Sequence, residues 1–553
     1  MDVTLDDLEI SEAHYYPIIR AFADKMNLVD TVNSRVPSEM DVSPGHYVLA
    51  LVIDALSGRS PIFQLQQFFE GKDTELLLGE AIALESLAGH NVGRLLDKLY
   101  EYGTLKLFTE ISRQAINAFD VDVRHVHSDT TSVSVQGAYE YDDGPFDITY
   151  GYSKDKRPDL KQFLVSMLCV DRNIPIVGTV EDGNASDKKI NNDILNDISR
   201  HMATHGLTPG EFVYIADSAM VTEANLTQVG DVTKYLSRLP ATYNECGRAI
   251  KEAVEADDWI DIGVLAKTKP TKNRPATHYL GYETEVTLYE RTFRAIVVHS
   301  SAHDMRRQKR IDRELASERK ELDKRCKDAA KREYFCLADA EAAAKDLEKE
   351  VPLYHTLTVN VEERPVYRRG RPPKDGQRKI DRMAYALSPQ ITEDPERTAA
   401  LRKEGGCFVL VTNLKHDGVE ETYSARDLLS LYKDQHGIEQ NFGFLKDPAI
   451  VDSIFLKKPE RIEVLGLILL IALLIWRLME RSMRRNLETT GKTVNGWMKR
   501  RTDLPTSYMM TTKFSAILVI KSGSARKLAR PLTPVQKEYL EALGIGPEIF
   551  TKT

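Results

Sequence analysis

The sequence predicts a multidomain α/β protein, and three observations carry that prediction. A chain of 553 residues exceeds what one compact core holds, so two to four domains are expected. From Val121 onward, short β-branched runs alternate with helical patterns, as in an α/β unit. The alternation breaks off near Leu239 and resumes at Cys407, so a second body of chain is inserted into the first. A composition of 42% hydrophobic and 29% charged residues is ordinary for a globular protein. Cys169, Cys246, Cys326, Cys336 and Cys407 are scattered, with no Cys-x-x-Cys pair, which argues against structural zinc or a disulfide framework. The acidic N-terminal residues have the wrong charge for a secretory signal, and a reducing, cytoplasmic location is expected.

Residues 1–120 read as helical, with apolar spacings of three and four in 47–56 and 92–107, punctuated by Gly58, Pro61, Gly71, Gly89 and Gly103. Residues 123–135 alternate as a strand, interrupted by Asp129, an acid that is unfavourable in a strand unless something pairs with it. Residues 161–171 and 174–180 are expected to form a hairpin turned at Arg172-Asn173, and 187–205 a helix. The apolar run 212–218 is a buried strand that ends on Asp217, and 232–239 is one more strand.

The insertion contains strand-like runs at 284–288 and 293–298. Its charged stretch 303–350 predicts one or two long helices, up to about 70 Å if unbroken. Residues 407–414 resume as a strand. The run Val464 to Trp476 (VLGLILLIALLIW) is too short for a membrane span and closely flanked by Arg461, Glu463, Arg477 and Glu480, so it reads as a helix buried in protein, with no membrane partner.

The net charge of −8 hides a polarity. Residues 1–120 carry 19 Asp/Glu against 9 Lys/Arg, whereas residues 477–530 carry 13 Lys/Arg against three acids. Such polarity predicts local phosphate-binding surfaces on an acidic molecule, a solvated tail being the plainer alternative.

Residues 431–446 predict a helix with one mostly apolar face of Leu431, Gln435, Ile438, Phe442 and Leu445. Tyr432, Glu439 and Lys446, seven residues apart, share a neighbouring face. The stretch resembles the Tyr-x2-Arg-x3-Glu-x6-Lys helix of bacterial and archaeal insertion-sequence DDE transposases, with Gln435 in place of the arginine. The turn Gly151 to Gln162 (GYSKDKRPDLKQ) is similar to that family's G-x-S-K-D-x-R-P-D-L-K-Q, and the contexts Ser128-Asp129-Thr130-Thr131 and Ala216-Asp217-Ser218 also match it.

The resemblance implies a ribonuclease H-like catalytic core at 121–240 and 406–485. It is interrupted by a mixed β/helical insertion at 241–405, preceded by an all-α domain at 1–120 for DNA-end binding or dimerisation, and followed by a basic region at 486–553. It further implies that Asp129, Asp217 and Glu439 are catalytic and hold two Mg²⁺, or Mn²⁺ in its place, for cleavage at element ends and strand transfer. Tyr432, Gln435, Lys446, Lys154, Arg157 and Lys161 become candidate DNA contacts. In the insertion, Arg369 and Arg371 form an Arg-Gly-Arg-Pro minor-groove hook, and Trp259 is either core packing or a base-stacking residue. The partners implied are double-stranded DNA, both element ends and target, bound by a homodimer at the nucleoid. A non-catalytic DNA-binding protein derived from such an enzyme, or a metal-dependent nuclease without strand transfer, are the alternatives.

Overall fold

The structure, a computed structural model, describes residues 8–58, 60–61, 64–139, 144–266, 270–271, 275–368, 370, 379–415, 423–447, 456 and 458–552. It forms two compact units. Met1–Arg238, Thr412–Leu414 and Asp427–Thr553 make the first; Leu239–Val411 and Lys415–Arg426 make the second. The second unit reaches past the expected insertion at 241–405 into the expected second core segment, taking up to Val411 and then Lys415–Arg426, while the N-terminal helices, the strands up to Arg238 and the chain from Asp427 onward belong to the first.

In chain order, strand β1 (Glu9–Glu12) precedes helices α1 (Tyr16–Lys25), α2 (Leu28–Arg35), α3 (Pro44–Leu56), α4 (Leu65–Phe69), α5 (Thr74–Leu78), α6 (Gly89–Tyr102) and α7 (Thr104–Phe119). Then come β2 (His125–Val135), β3 (Lys161–Val170), β4 (Ile174–Glu181), α8 (Asp187–Thr204), β5 (Val213–Ala216), α9 (Glu223–Val229) and β6 (Lys234–Arg238). The next stretch holds α10 (Asn244–Ala256), β7 (Ile260–Val264), β8 (His278–Leu288), β9 (Arg291–Ser300), α11 (Ser301–Ala330), β10 (Glu333–Tyr334) and α12 (Leu337–Glu348). It continues through β11 (His355–Tyr367), β12 (Ile380–Glu393), α13 (Pro395–Lys403) and β13 (Cys407–Thr412). The chain closes with α14 (Ala425–Asp434), α15 (His436–Leu445), α16 (Pro459–Thr490), β14 (Val494–Asn495), β15 (Arg501–Thr502), α17 (Ser507–Thr511), β16 (Leu518–Ser522), β17 (Ala525–Leu528) and α18 (Pro534–Leu543).

In the first unit the strands run in the order β4-β3-β2-β5-β6. β2, β3 and β4 are antiparallel neighbours, and the predicted hairpin turn carries positive φ at Asp171 and Arg172. β5 joins β2 in parallel and β6 joins β5 in parallel. β3 and β5 are apolar runs rather than alternating ones because both faces are covered, as buried sheet requires.

The apolar run of 464–476 lies within the 32-residue α16, which is long and apolar enough to cross a membrane by length and composition alone. Its apolar window is 89% buried in the protein, against α3, α6, α7 and β4. A helix apolar on all sides needs such an all-round sleeve. Arg461 pairs with Asp97 at 2.8 Å and Glu463 accepts the Thr104 hydroxyl, so α6 and α7 are fastened to the start of α16.

The termini also join. β1 pairs antiparallel with β16, Glu9 opposite Lys521, although residues 1–120 were expected to be helical throughout. Beside that sheet Arg526, with only 2% of its side chain exposed, donates to Asp73 at 2.6 Å and Glu75 at 2.6 Å. Removing Arg526 leaves the buried Asp73 carboxylate with the Leu76 amide and the more distant Lys521 as its partners. Arg526→Ala should therefore destabilise the protein, by less than the roughly 3–5 kcal/mol of a buried pair left wholly uncompensated. Urea unfolding reads this directly, and an unchanged midpoint would refute it.

The second unit contains the strands β13-β9-β8-β7 and a ladder β10-β12-β11. The charged stretch makes two helices rather than one, and the longer is about 45 Å at 30 residues. The break comes where Glu333 and Tyr334 leave the helix to pair with β12, and Cys336 then caps α12. A cluster of Ala340, Ala344, Val359 and Leu387 seats α12 on the ladder.

Candidate active site

Asp129, within β2, and Asp217, one residue past the end of the adjacent parallel strand β5, lie at matching levels. His127 of β2 pairs with Ile215 of β5, and each aspartate follows two residues further on. A two-residue step keeps both side chains on the face of the residues they follow. The Asp129 carboxylate accepts the Thr130 amide at 2.8 Å. Asp217 accepts the Ala219 amide at 3.0 Å, capping the short turn Ser218–Met220, while Ser237 Oγ donates to its carbonyl at 2.7 Å.

Burial pushes the Asp129 carboxyl up to about 6; Lys154 and the Thr130 amide oppose the shift, and Asp217 and Asp187 add to it. The Asp217 carboxyl is raised as well, by burial first, opposed by the Ala219 amide and reinforced by Asp187. Two half-desolvated carboxylates thus repel each other and a third acid.

That third acid, Asp187, escaped the sequence reading. It stands at the first position of α8 behind the Ser186 cap, where an acid ordinarily answers only the helix dipole. In the structure Thr130 Oγ1 donates to its Oδ1 at 2.5 Å. Lys154 Nζ reaches the same oxygen at 3.4 Å and donates to the Thr130 carbonyl and hydroxyl, both at 2.8 Å. Lys154 is therefore placed as the sequence predicts, beside the Asp129 strand.

Its loop is built to hold it. Gly151 lies so close to Gly183 that a Cβ there would fall 2.1 Å from the Gly183 carbonyl oxygen. The buried Gln162 amide donates to that same oxygen at 2.7 Å, and the Lys154 amide donates to Ser132 Oγ at 3.1 Å. Two other predicted DNA contacts in the loop are committed elsewhere. Arg157 pairs with Asp159 at 2.7 Å, and Lys161 caps the carbonyls of Ala138 and Tyr139.

The predicted 431–446 helix is interrupted. α14 ends at Asp434 and α15 begins at His436, with three-residue bonds from Gln435 N–H to Tyr432 O and Ile438 N–H to Gln435 O. The tightening coincides with close docking on the β3–β4 turn. A Cβ on Gly437 would lie 2.5 Å from the Arg172 carbonyl oxygen. Asp434 pairs with Arg172 at 3.0 Å, and Asn441 donates to the Asn173 carbonyl at 2.9 Å while accepting from the buried Arg477 at 2.7 Å. Gln435 Nε2 donates to the Ser128 carbonyl at 3.4 Å, one residue from Asp129, so its amide is engaged with the strand.

Tyr432 is half-buried. Its hydroxyl is raised by burial, opposed by Arg238 and reinforced by Asp217, Asp129 and Glu439, so all three predicted acids act on this one group. Lys446 pairs with Asp155 at 2.7 Å, in the loop that carries Lys154. Glu439 itself is 66% exposed and bound to His436 Nδ1 at 2.7 Å. Among the described residues no three His, Cys, Asp or Glu side chains are gathered as a metal site. The donor set nonetheless fits a hard divalent cation: oxygen-only ligands on rigid strands, with carboxyls whose mutual repulsion a cation would relieve.

Arg369 and Arg371 lie outside the described residues. Trp259, in the second unit, is half-buried edge-on to Tyr282 and His299, with ring centroids 6.3 and 6.2 Å away. Most of the cations of 477–530 are paired with acids of the same chain. Arg481 holds Asp171, Arg484 holds Glu480, Arg485 holds Asp120, Arg501 holds Glu538 and Lys492 holds Glu541. Acidic and basic regions distant in sequence neutralise one another on folding.

Residues 8–113 match a family model described as a domain of unknown function, DUF4277. No curated protein matches the chain. Among solved structures, the chain is similar to a piggyBac transposase in a synaptic complex with hairpin DNA. The TM-score is 0.38 and the identity 8%, over 91% of this chain and 79% of that one.

Proposed function

We propose that this protein is a DDE transposase with a ribonuclease H-like core, which cleaves DNA at the ends of its own element and joins the freed 3′-hydroxyls to target DNA. The observation that carries the reading is the level placement of Asp129 within β2 and Asp217 one residue past the adjacent parallel β5, both carboxyls raised, with the Glu439 helix docked one residue away on Ser128. The strand order β4-β3-β2-β5-β6 supports it. Asp129, Asp217 and Glu439 would hold Mg²⁺ or Mn²⁺, two ions in the proposed site, which when bound lowers the pKa of an attacking oxygen and stabilises the leaving one. Glu439 joins the aspartates by exchanging its His436 partner, a side-chain rearrangement at an exposed position.

Around them, Lys154 supplies positive charge beside the scissile phosphate, held there by Thr130 and Asp187. Tyr432, set among the acids, offers a neutral hydroxyl donor. Lys446 tethers the signature helix to the Lys154 loop. In the proposal the protein works as a homodimer on double-stranded DNA in the prokaryotic cytoplasm.

The test is incubation with duplex DNA carrying the element's ends, with Mg²⁺ or Mn²⁺ and with chelator, resolved on denaturing gels. Metal-dependent cuts at the ends and joined products are expected. Cuts without joining would leave a nuclease, and end binding without cuts would leave a non-catalytic DNA-binding protein.

A further inference from the structure

In a C-terminal region whose cations are mostly paired, one hairpin stands apart. Val494 pairs with Thr502 and Asn495 with Arg501, and the chain reverses through Trp497–Arg500. The Arg500 amide donates to the Trp497 carbonyl at 3.0 Å, closing a four-residue turn, and the Gly496 amide donates to the Arg500 carbonyl at 2.7 Å. Both central residues have positive φ, 52° at Met498 and 58° at Lys499. Tight hairpin turns of this kind select Asn-Gly, because other L-residues lose about 1–2 kcal/mol in that conformation. Met-Lys here runs against the local rule, and such departures concentrate where side chains have a use.

The stem is rigid and the tip is bare. Tyr539 donates to the Asn495 carbonyl at 3.0 Å and Arg501 pairs with Glu538 at 2.8 Å, anchoring the stem on α18. Met498 is 87% exposed and Trp497 48%, and Trp497 is tilted against the exposed Tyr508 at 6.0 Å. Lys513 Nζ sits 5.7 Å over the Trp497 ring. Among the described residues, no acid pairs with Lys499, Arg500 or Lys513. Here is a fixed aromatic face, a flexible thioether and three uncompensated cations on an otherwise acidic protein.

We propose that the Trp497–Arg500 turn is a DNA contact separate from the active site. It takes an unstacked base on Trp497 and Met498, with the flanking phosphates on Lys499, Arg500 and Lys513. It rests on the transposase reading for its choice of polymer. The chemistry is that of stacking platforms for unpaired strands, where an aromatic face accepts any base and cations follow the backbone.

The test uses the full-length chain, its tryptophan emission, a short single-stranded oligonucleotide, the same sequence as duplex, and heparin as a polyanion without bases. Trp497 is one of three tryptophans. The oligonucleotide should quench emission, and Trp497→Leu should remove that quenching and weaken binding about tenfold. Trp497→Phe should keep most of the affinity. Met498→Asn combined with Lys499→Gly, which installs the preferred turn, should raise the melting temperature and still weaken the oligonucleotide severalfold.

Unchanged affinity in Trp497→Leu overturns the proposal. Equal quenching by heparin overturns it in favour of a charge-only surface, and equally tight binding of intact duplex through Trp497 overturns the unstacked base. The transposase reading fails separately, if the unmodified protein leaves element ends uncut while this turn still binds the oligonucleotide.

Discussion

Asp129→Asn should abolish the proposed metal-dependent cleavage and at the same time raise the melting temperature of the metal-free protein. The two effects have one cause. Asp129 sits in a partly desolvated site beside Asp217 and Asp187, which holds its carboxyl up to about 6 against an ordinary value near 3.8. Above pH 6 the folded protein carries a charge that the unfolded chain carries more cheaply. Between pH 4 and 6 the folded state binds more protons than the unfolded one, so stability falls as pH rises through that window.

Asparagine keeps the shape and removes the repulsion, and should recover about 1–3 kcal/mol at pH 7. The same change removes a proposed cation ligand and should lower cleavage by about 10³-fold or more. Asp217→Asn and Glu439→Gln should be equally inactive, and all three should still bind end DNA, since affinity there is mainly phosphate contact. Thermal unfolding at pH 7 and pH 4 together with gel-based cleavage checks both halves. A cleaving Glu439→Gln enzyme would remove the helix from the active site, and a destabilised Asp129→Asn would show that its carboxylate is structurally satisfied.

Gly437→Ala should also damage activity strongly, although the residue bears no chemistry. Its Cβ would lie 2.5 Å from the Arg172 carbonyl oxygen and 3.1 Å from Asn173 Cβ. Backbone cannot rotate away as a side-chain tip can, so the helix must lift off the hairpin. The lift strains the Asp434–Arg172 pair and the Asn441–Asn173 hydrogen bond. A cost of about 1–3 kcal/mol in stability is expected. A displacement of about 1 Å would further cost about a hundredfold in cleavage. Gly443 is the internal control. It lies in the same helix with nothing within 4 Å of an added Cβ, so Gly443→Ala should be stable and active. Equal behaviour of the two alanine variants would refute the docking argument.

The sequence alone determined the features that depend on near neighbours. Alternation marked β2, the apolar run marked β5 with its terminal Asp217, and the Arg172-Asn173 turn marked the hairpin, because strand period and turn chemistry are written within a few residues. The same locality explains why the buried character of α16 was legible from 13 uncharged residues. The placement of Lys154 near Asp129 was legible from a loop of fixed length between two strands.

Only the tertiary structure decided what depends on distant partners. Asp187 and Thr130 belong to the acidic cluster because α8 starts beside β2, which no spacing encodes. β1 is a strand because β16, more than 500 residues away, offers it an edge. The break at Gln435 coincides with the close approach of Gly437 to the Arg172 carbonyl, a contact between segments far apart in the chain. The basic tail lost most of its free charge because Asp73, Asp120, Asp171, Glu538 and Glu541 fold against it. Counting charges along a chain cannot show which of them will meet. Coulomb energy depends on separation in space, and separation in space is what folding sets.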